Sequence, residues 1–122
     1  MQIGGNHYLQ FKFQPTDFIH KIDLNFCQGN VIKYVCRYKF KNGKEDLFKA
    51  LHYAEMLKDY YLKGYPSRFI LTDINKAVVM DFIYANELLH VQSRVIHSVV
   101  KNDYNFTIQA IKELIELEYP NV

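Results

Sequence analysis

Apolar residues recur along most of the chain every three or four positions, which is the spacing of helices that bury one face. Residues that start and stop helices divide this pattern into five segments. The predicted helices run from Pro15 to about Lys21, from Asp23 to Phe40, from Glu45 to Gly64, from Thr72 to about Val100, and roughly from Phe106 to Glu118. This order predicts an all-α fold in which two helical hairpins pack as a small bundle.

The segment that precedes Pro15 lacks the helical spacing. Its glycines at positions 4 and 5 are typical of a turn, and Leu9, Phe11 and Phe13 alternate with polar residues as in a short strand. We therefore expect an irregular or extended N-terminal segment before the first helix.

One domain is expected over residues 1–122, because a chain of this length encloses one modest core. No internal repeat or low-complexity linker is visible in the sequence. The helix order divides the domain into residues 1–64, which contain the first hairpin, and residues 65–122, which contain the second. The second half is expected to serve packing or assembly.

The second predicted helix carries a basic stripe along one side, within a narrow arc at about 100° per residue. The stripe consists of Asn30, Tyr34, Arg37 and Lys41, with Lys33 at its edge. Apolar positions flank the arc on both sides, which indicates a recessed strip where charge is partly shielded from water. A phosphate suits such a strip, because Arg offers a planar fork and Lys a point charge. The alternative is a solvated rim whose cations pair with Glu45 and Asp46.

The third predicted helix has two distinct faces. Its expected core face is Leu47, Ala50, Ala54, Leu57 and Tyr61. Its opposite face carries Lys49, Tyr53, Met56 and Tyr60, a composition more typical of a subunit interface than of a ligand platform. The long fourth helix is apolar over about half its circumference, which a partner helix from another subunit would explain. These faces predict a homo-oligomer.

Composition limits the classes of function. The net charge of +2 is too small for a protein that coats nucleic acid, so an anion site must be local. No stretch approaches the roughly 20 apolar residues of a membrane span, and no secretory leader is evident, so an intracellular protein without a membrane partner is expected. The two cysteines, Cys27 and Cys36, are expected to be free buried thiols.

Several short motifs resemble a phage family of unknown function that is related to the nucleotide kinase of phage T7. The motifs are His7-Tyr8, Gln14-Pro15-Thr16-Asp17-Phe18-Ile19, Gly29-Asn30-Val31-Ile32-Lys33-Tyr34 with Arg37, then Lys41, Asp46-Leu47, Lys49-Ala50 and Tyr53. The resemblance extends over about residues 5–62. It implies a protein of the cytoplasm of an infected bacterial host, with a nucleotide site that includes His7, Tyr8, Asn30, Lys33, Tyr34, Arg37, Lys41, Asp46 and Lys49.

Three functions remain open. The first is capture, without chemistry, of a nucleotide or nucleotide-derived immune signal, such as a cyclic nucleotide or an ADP-ribose derivative. The second is a nucleoside monophosphate kinase without a phosphate loop, since no G-x-x-x-x-G-K-[ST] frame is present. Only that kinase would need magnesium, for which Asp17 and Asp46 are the carboxylates at matching positions; both also suit helix N-termini. The third is a Tyr-rich protein that inhibits a host factor. No catalytic residue, cofactor or metal site is otherwise assigned.

Overall fold

The computed structural model describes residues 11–65 and 71–120. Within these ranges the chain forms six α-helices and no strand. The helices are α1 (Pro15–Lys21), α2 (Phe26–Arg37), α3 (Lys44–Leu62), α4 (Asp73–Ala85), α5 (His90–Val100) and α6 (Tyr104–Glu118), and a 3₁₀ turn (Tyr38–Phe40) follows α2. The all-α prediction is confirmed. Of the three residues predicted to alternate as in a strand, Leu9 lies outside the described residues, and Phe11 and Phe13 lie in irregular backbone.

The predicted start of the second helix at Asp23 is wrong by two residues. Asp23 has φ +61°, a left-handed conformation that terminates α1 rather than capping the next helix. The cap of α2 is Asn25, whose side chain accepts a hydrogen bond from the Gln28 backbone N–H at 2.8 Å. In return, the Gln28 side chain accepts from the Asn25 N–H at 3.1 Å, which completes a capping box.

The long fourth helix predicted from Thr72 to Val100 is in fact two helices. The helix is interrupted at Asn86 and Glu87, where Glu87 has φ +50°. The Asn86 side chain is engaged by the N-terminal segment: it accepts from the Phe13 N–H at 3.0 Å and donates to the Phe13 carbonyl at 2.8 Å. Asn86 is the C-cap of α4, and its bonds to Phe13 depend on the tertiary fold, so the apolar spacing alone does not show the break.

Two hairpins form the bundle, as predicted. The first consists of α2 and α3 and the second of α5 and α6; α2 packs on α5, and α3 packs on α6. The helices α1 and α4 lie against this bundle, where Phe18 stacks on Phe82 with ring centroids 4.1 Å apart. The shared core is built from the apolar faces of all six helices and includes Phe18, Val31, Ile32, Val35, Ala50, Ala54, Phe82, Val95, Ile96, Val99 and Ile111.

Two buried glutamines join the hairpins reciprocally. The Gln28 side chain, at the start of α2, donates to the carbonyl of Val99 near the end of α5, at 3.3 Å. The Gln92 side chain, at the start of α5, donates to the carbonyl of Val35 near the end of α2, at 3.0 Å. The two helices are therefore antiparallel.

The helices that carry the two glutamines, α2 and α5, also share a four-residue sequence pattern, which is too short to stand out as an internal repeat. Gln28, Val31, Ile32 and Val35 recur 64 positions later as Gln92, Val95, Ile96 and Val99. The matching residues lie on α2 and α5 and make reciprocal bonds, so these two helices have an approximate internal two-fold relation.

One of the five residues predicted for the core face of the third helix is exposed. Tyr61 is predicted on the buried face of the third helix, but 62% of it is exposed, because it lines an open cleft between the end of α3 and the start of α6, where it contacts Tyr104. The other four residues of that face are buried. The two cysteines are free and buried, as predicted, and burial raises the pKa of both thiols. No helix among the described residues is long and apolar enough to cross a membrane.

Candidate functional site

Three cations surround one tyrosine ring between α2 and α3. The centroid of the Tyr34 ring lies 4.7 Å from the Arg37 guanidinium carbon, 5.0 Å from Lys33 Nζ and 5.5 Å from Lys49 Nζ. All three distances are within the range in which a cation is attracted to the electron-rich face of an aromatic ring. Lys49 belongs to α3 and the other two cations to α2, so the hairpin assembles this arrangement.

A second tyrosine extends the arrangement across the hairpin. The Tyr53 ring of α3 lies nearly parallel to the Tyr34 ring, with an interplanar angle of 8° and centroids 6.1 Å apart. Phe26, in the first turn of α2, also meets Tyr53 in an edge-to-face contact with ring centroids 5.6 Å apart. We call Lys33, Tyr34, Arg37, Lys49 and Tyr53 the Tyr34 cluster.

A buried carboxylate fixes Arg37. Asp46 is fully buried and accepts hydrogen bonds from Arg37 Nε and Nη2, each at 3.2 Å, while only 13% of the Arg37 side chain is exposed. Asp46 also accepts from the Asn42 backbone N–H at 3.2 Å. This pair ties the end of α2 to the first turn of α3, and it holds the guanidinium plane beside Tyr34.

The alternative prediction, in which the cations pair with Glu45 and Asp46, is therefore confirmed in part. Besides the Arg37 pair, Lys49 Nζ lies 3.8 Å from a Glu45 carboxylate oxygen in a largely exposed ion pair one helical turn apart. Lys33 makes no ion pair with the described residues. The three cations of the Tyr34 cluster are therefore balanced by only two carboxylates among the described residues.

Some predicted site residues are not brought together. Lys41 follows the 3₁₀ turn and is exposed; a turn with three residues per revolution rotates Lys41 out of the arc expected from α-helical spacing. Asn30 bonds its own helix, donating to the Phe26 carbonyl at 2.9 Å. Asp17 is exposed in the first turn of α1. His7 and Tyr8 lie outside the described residues.

The carboxylates considered for magnesium do not assemble with other ligands in the part of the chain that the structure describes. No group of three or more His, Cys, Asp or Glu side chains there is placed to hold a metal ion. Asp46 is also occupied by Arg37 and Asn42. Asp46 therefore has a structural role in the hairpin.

The sequence missed Phe26 and Tyr53 as members of this region. Tyr53 was placed on a face of α3 more typical of a subunit interface, whereas that face turns toward the basic stripe of α2. A signal was present, since Phe26, Lys33 and Arg37 share the helical spacing of the stripe. Only the alignment of the two helices, however, shows which residues meet.

The fold and this site define a helical protein with a cation–aromatic cluster between two antiparallel helices. Residues 4–55 match a family described as a protein of unknown function, DUF3310. The match spans α1, α2 and the first part of α3, and so includes every residue of the Tyr34 cluster. It agrees with the resemblance to a family of unknown function, while the relation to the phage T7 kinase stays a prediction. No significant match was found among curated proteins or solved structures.

Proposed function

We propose that this chain binds a nucleotide or nucleotide-derived small molecule through its phosphates at the Tyr34 cluster and holds it without chemistry. The observation that carries this proposal is the convergence of Lys33, Arg37 and Lys49 within 5.5 Å of one tyrosine ring. The three cations outnumber the two carboxylates that pair with them among the described residues, so a bound anion would balance the excess positive charge. Phosphate oxygens are strong acceptors for both Arg and Lys.

The aromatic rings support a nucleotide rather than a simple anion. Tyr34 and Tyr53 begin a run of aromatic side chains beside the cations, and stacking of a base on an aromatic side chain contributes about 1–3 kcal/mol per base. The rings hold each other and are held by the hairpin, so little side-chain entropy is lost when a ligand binds. Cations that can bind phosphates and aromatic rings that can stack on a base therefore lie side by side.

Capture suits the cluster better than catalysis. Asp46 is held by Arg37 and the Asn42 N–H, and neither it nor Glu45 is grouped with further described carboxylates that could hold the magnesium phosphoryl transfer needs. In an infected bacterial cell, capture would remove a nucleotide-derived immune signal, of the cyclic or ADP-ribose type. The kinase remains the alternative, with magnesium as its required cofactor.

The purified chain should be incubated with a panel of linear nucleotides, cyclic nucleotides and ADP-ribose derivatives, then washed, heat-denatured and analysed by chromatography. Release of an unchanged molecule supports capture. A phosphorylated product, formed with magnesium and a nucleoside triphosphate, supports the kinase instead. If no member of the panel is retained, both proposals are wrong and the Tyr-rich interaction protein becomes the better hypothesis.

The contribution of the cations should be tested with Lys33→Gln and Lys49→Gln. Each is expected to weaken binding by about 1.5–3 kcal/mol, or roughly 10- to 150-fold, if the contact is a charge-assisted hydrogen bond. Arg37→Ala should weaken binding as much, but it also removes the partner of buried Asp46. Lys112→Gln, at an exposed position of α6, is the matched control. Equal affinities for all the lysine variants would refute this placement of the phosphates.

A further inference from the structure

An aromatic cleft opens where the end of α3 meets the beginnings of α2 and α6. It consists of two adjoining cavities of about 570 Å³ and 490 Å³, which share Tyr61, Tyr65 and Tyr104 in their walls. Phe26, Leu57 and Tyr60 complete the apolar side of the smaller cavity. We call this feature the Tyr cleft. Both volumes are in the range of small-molecule sites, which are mostly lined by apolar and aromatic side chains.

The walls of the Tyr cleft are pairs of rings that support each other. Tyr60 and Tyr65 meet at 5.5 Å with an interplanar angle of 77°, and Tyr61 and Tyr104 meet at 5.3 Å. Nevertheless, more than 60% of Tyr61 and of Tyr65 is exposed. Tyrosine presents a flat apolar face and a polar hydroxyl, so these walls fit a ring that also forms hydrogen bonds at its edge.

The Tyr cleft is continuous with the Tyr34 cluster. Phe26 lines the cleft and contacts Tyr53 at 5.6 Å, and Tyr53 in turn stacks on Tyr34 at 6.1 Å. Lys33 follows Phe26 by seven residues, which is about 10 Å along the α2 axis. A ring in the cleft and a phosphate on the cations are therefore separated by more than the length of one sugar.

We propose that the Tyr cleft holds the base of the ligand whose phosphates lie on the Tyr34 cluster. This inference rests on the function proposed above and narrows the ligand class. To bring its charged end to Lys33, a base in the cleft needs a sugar and more than one phosphate to span the roughly 10 Å between Phe26 and Lys33 along α2. A nucleoside polyphosphate or a linear dinucleotide therefore fits both parts of the site, whereas a nucleoside monophosphate fills only one.

The test uses the full chain and isothermal titration calorimetry with ATP, GTP, CTP and UTP, the corresponding monophosphates, and inorganic triphosphate. The tightest-binding nucleoside triphosphate should bind at least tenfold more tightly than its monophosphate. Tyr61→Ala and Tyr65→Ala should each weaken that triphosphate at least fivefold and leave inorganic triphosphate unchanged. Lys33→Gln should weaken both probes. Tyr84→Ala, at an equally exposed tyrosine of α4, is the matched control and should bind like the unmodified chain.

The outcomes separate this inference from the proposed function. If Lys33→Gln weakens binding while the Tyr61 and Tyr65 variants behave like Tyr84→Ala, the base lies elsewhere and only the present inference is overturned. Equal affinities for monophosphate and triphosphate overturn it as well. If Lys33→Gln has no effect, or if no probe binds, the phosphate site itself is wrong and both proposals fail. Circular dichroism of each variant verifies that it remains helical.

Discussion

At the scale of single residues, the buried pair of Arg37 and Asp46 has two roles that mutation can separate. It holds a cation in the Tyr34 cluster, and it joins α2 to α3. Arg37→Ala leaves a fully buried carboxylate without its counter-charge, so the free energy of unfolding should fall by about 3–5 kcal/mol. Urea denaturation followed by circular dichroism measures this change.

The control for this change is Lys39→Ala. Lys39 Nζ lies 3.7 Å from an oxygen of partly exposed Glu118, which also accepts a hydrogen bond from Tyr38, so loss of the exposed lysine should cost no more than about 1 kcal/mol. If both variants lose the same small amount of stability, Asp46 does not depend on Arg37.

Gly29 shows how a single position can oppose local preference. Glycine inside a helix costs about 1 kcal/mol relative to alanine, yet a Cβ at Gly29 would lie only 2.9 Å from Ile19 Cγ2. The stiff isoleucine must then move, which typically costs about 1–3 kcal/mol.

We expect Gly29→Ala to lower the free energy of unfolding by up to about 2 kcal/mol, because the clash outweighs the helical preference. Thermal and urea unfolding are suitable measurements. Ser93→Ala, at the equivalent position of α5, should be neutral or slightly stabilising. A more stable Gly29→Ala protein would show that α1 moves away from α2 without cost.

At the scale of elements, the reciprocal glutamines determine how the hairpins pair. Gln92 satisfies two backbone groups: its side chain accepts from the Leu89 N–H at 2.8 Å and donates to the Val35 carbonyl. Gln92→Met keeps the length of the side chain but removes both bonds, a buried one to the Val35 carbonyl and a partly buried one from the Leu89 N–H at the start of α5. The expected loss is at least about 2 kcal/mol, since each orphaned group costs about 1–3 kcal/mol.

Urea denaturation tests this expectation against Gln109→Met on the exposed face of α6, which should change stability by less than about 0.5 kcal/mol. Similar small losses in both variants would mean that water replaces the side chain of Gln92.

The helices were largely predictable and their boundaries were not, for an identifiable reason. Apolar spacing reflects burial, so it located each helical segment and most of the buried face of α3. The errors occur at Asp23 and Glu87, where residues other than glycine adopt positive φ. Whether a residue adopts positive φ depends on how the two flanking helices pack. Next to Glu87, Asn86 is held by a hydrogen bond to Phe13, 73 positions away.

The candidate site was predictable only within one helix at a time. The helical spacing of about 100° per residue grouped Tyr34 with Arg37 correctly, because both lie in the regular helix α2. It could not show that Tyr53 faces them, since that contact depends on how α2 and α3 align. It also misplaced Lys41, because the chain changes from α-helix to 3₁₀ turn after Arg37.

At the scale of the whole molecule, stability should respond to the charge of His97. Burial, and secondarily Lys101, lowers the pKa of His97 below its ordinary value of 6.5. The unfolded chain therefore binds a proton more readily than the folded chain. The stability present above pH 6.5 is lost as the pH falls toward the pKa of the folded state, and the loss then levels off.

His97→Gln should make the protein less sensitive to acid between pH 7 and pH 5 than the unmodified chain. Urea midpoints at half-unit intervals measure the difference between the two curves, in which the contributions of the other histidines cancel. Parallel curves would mean that His97 is equally accessible to protons in both states.

The internal two-fold relation has a consequence for shorter proteins that resemble only the first hairpin. Position for position, Val99 corresponds to Val35 and Gln92 to Gln28, so α5 occupies the place that a second α2 could take. Without α5, the apolar side of α2 would face water. Two such chains could cover each other, with Gln28 of each copy bonded to Val35 of the other. In this chain that pairing occurs within one polypeptide, so residues of the second half that lie outside the shared core can differ from those of the first without loss of the pairing.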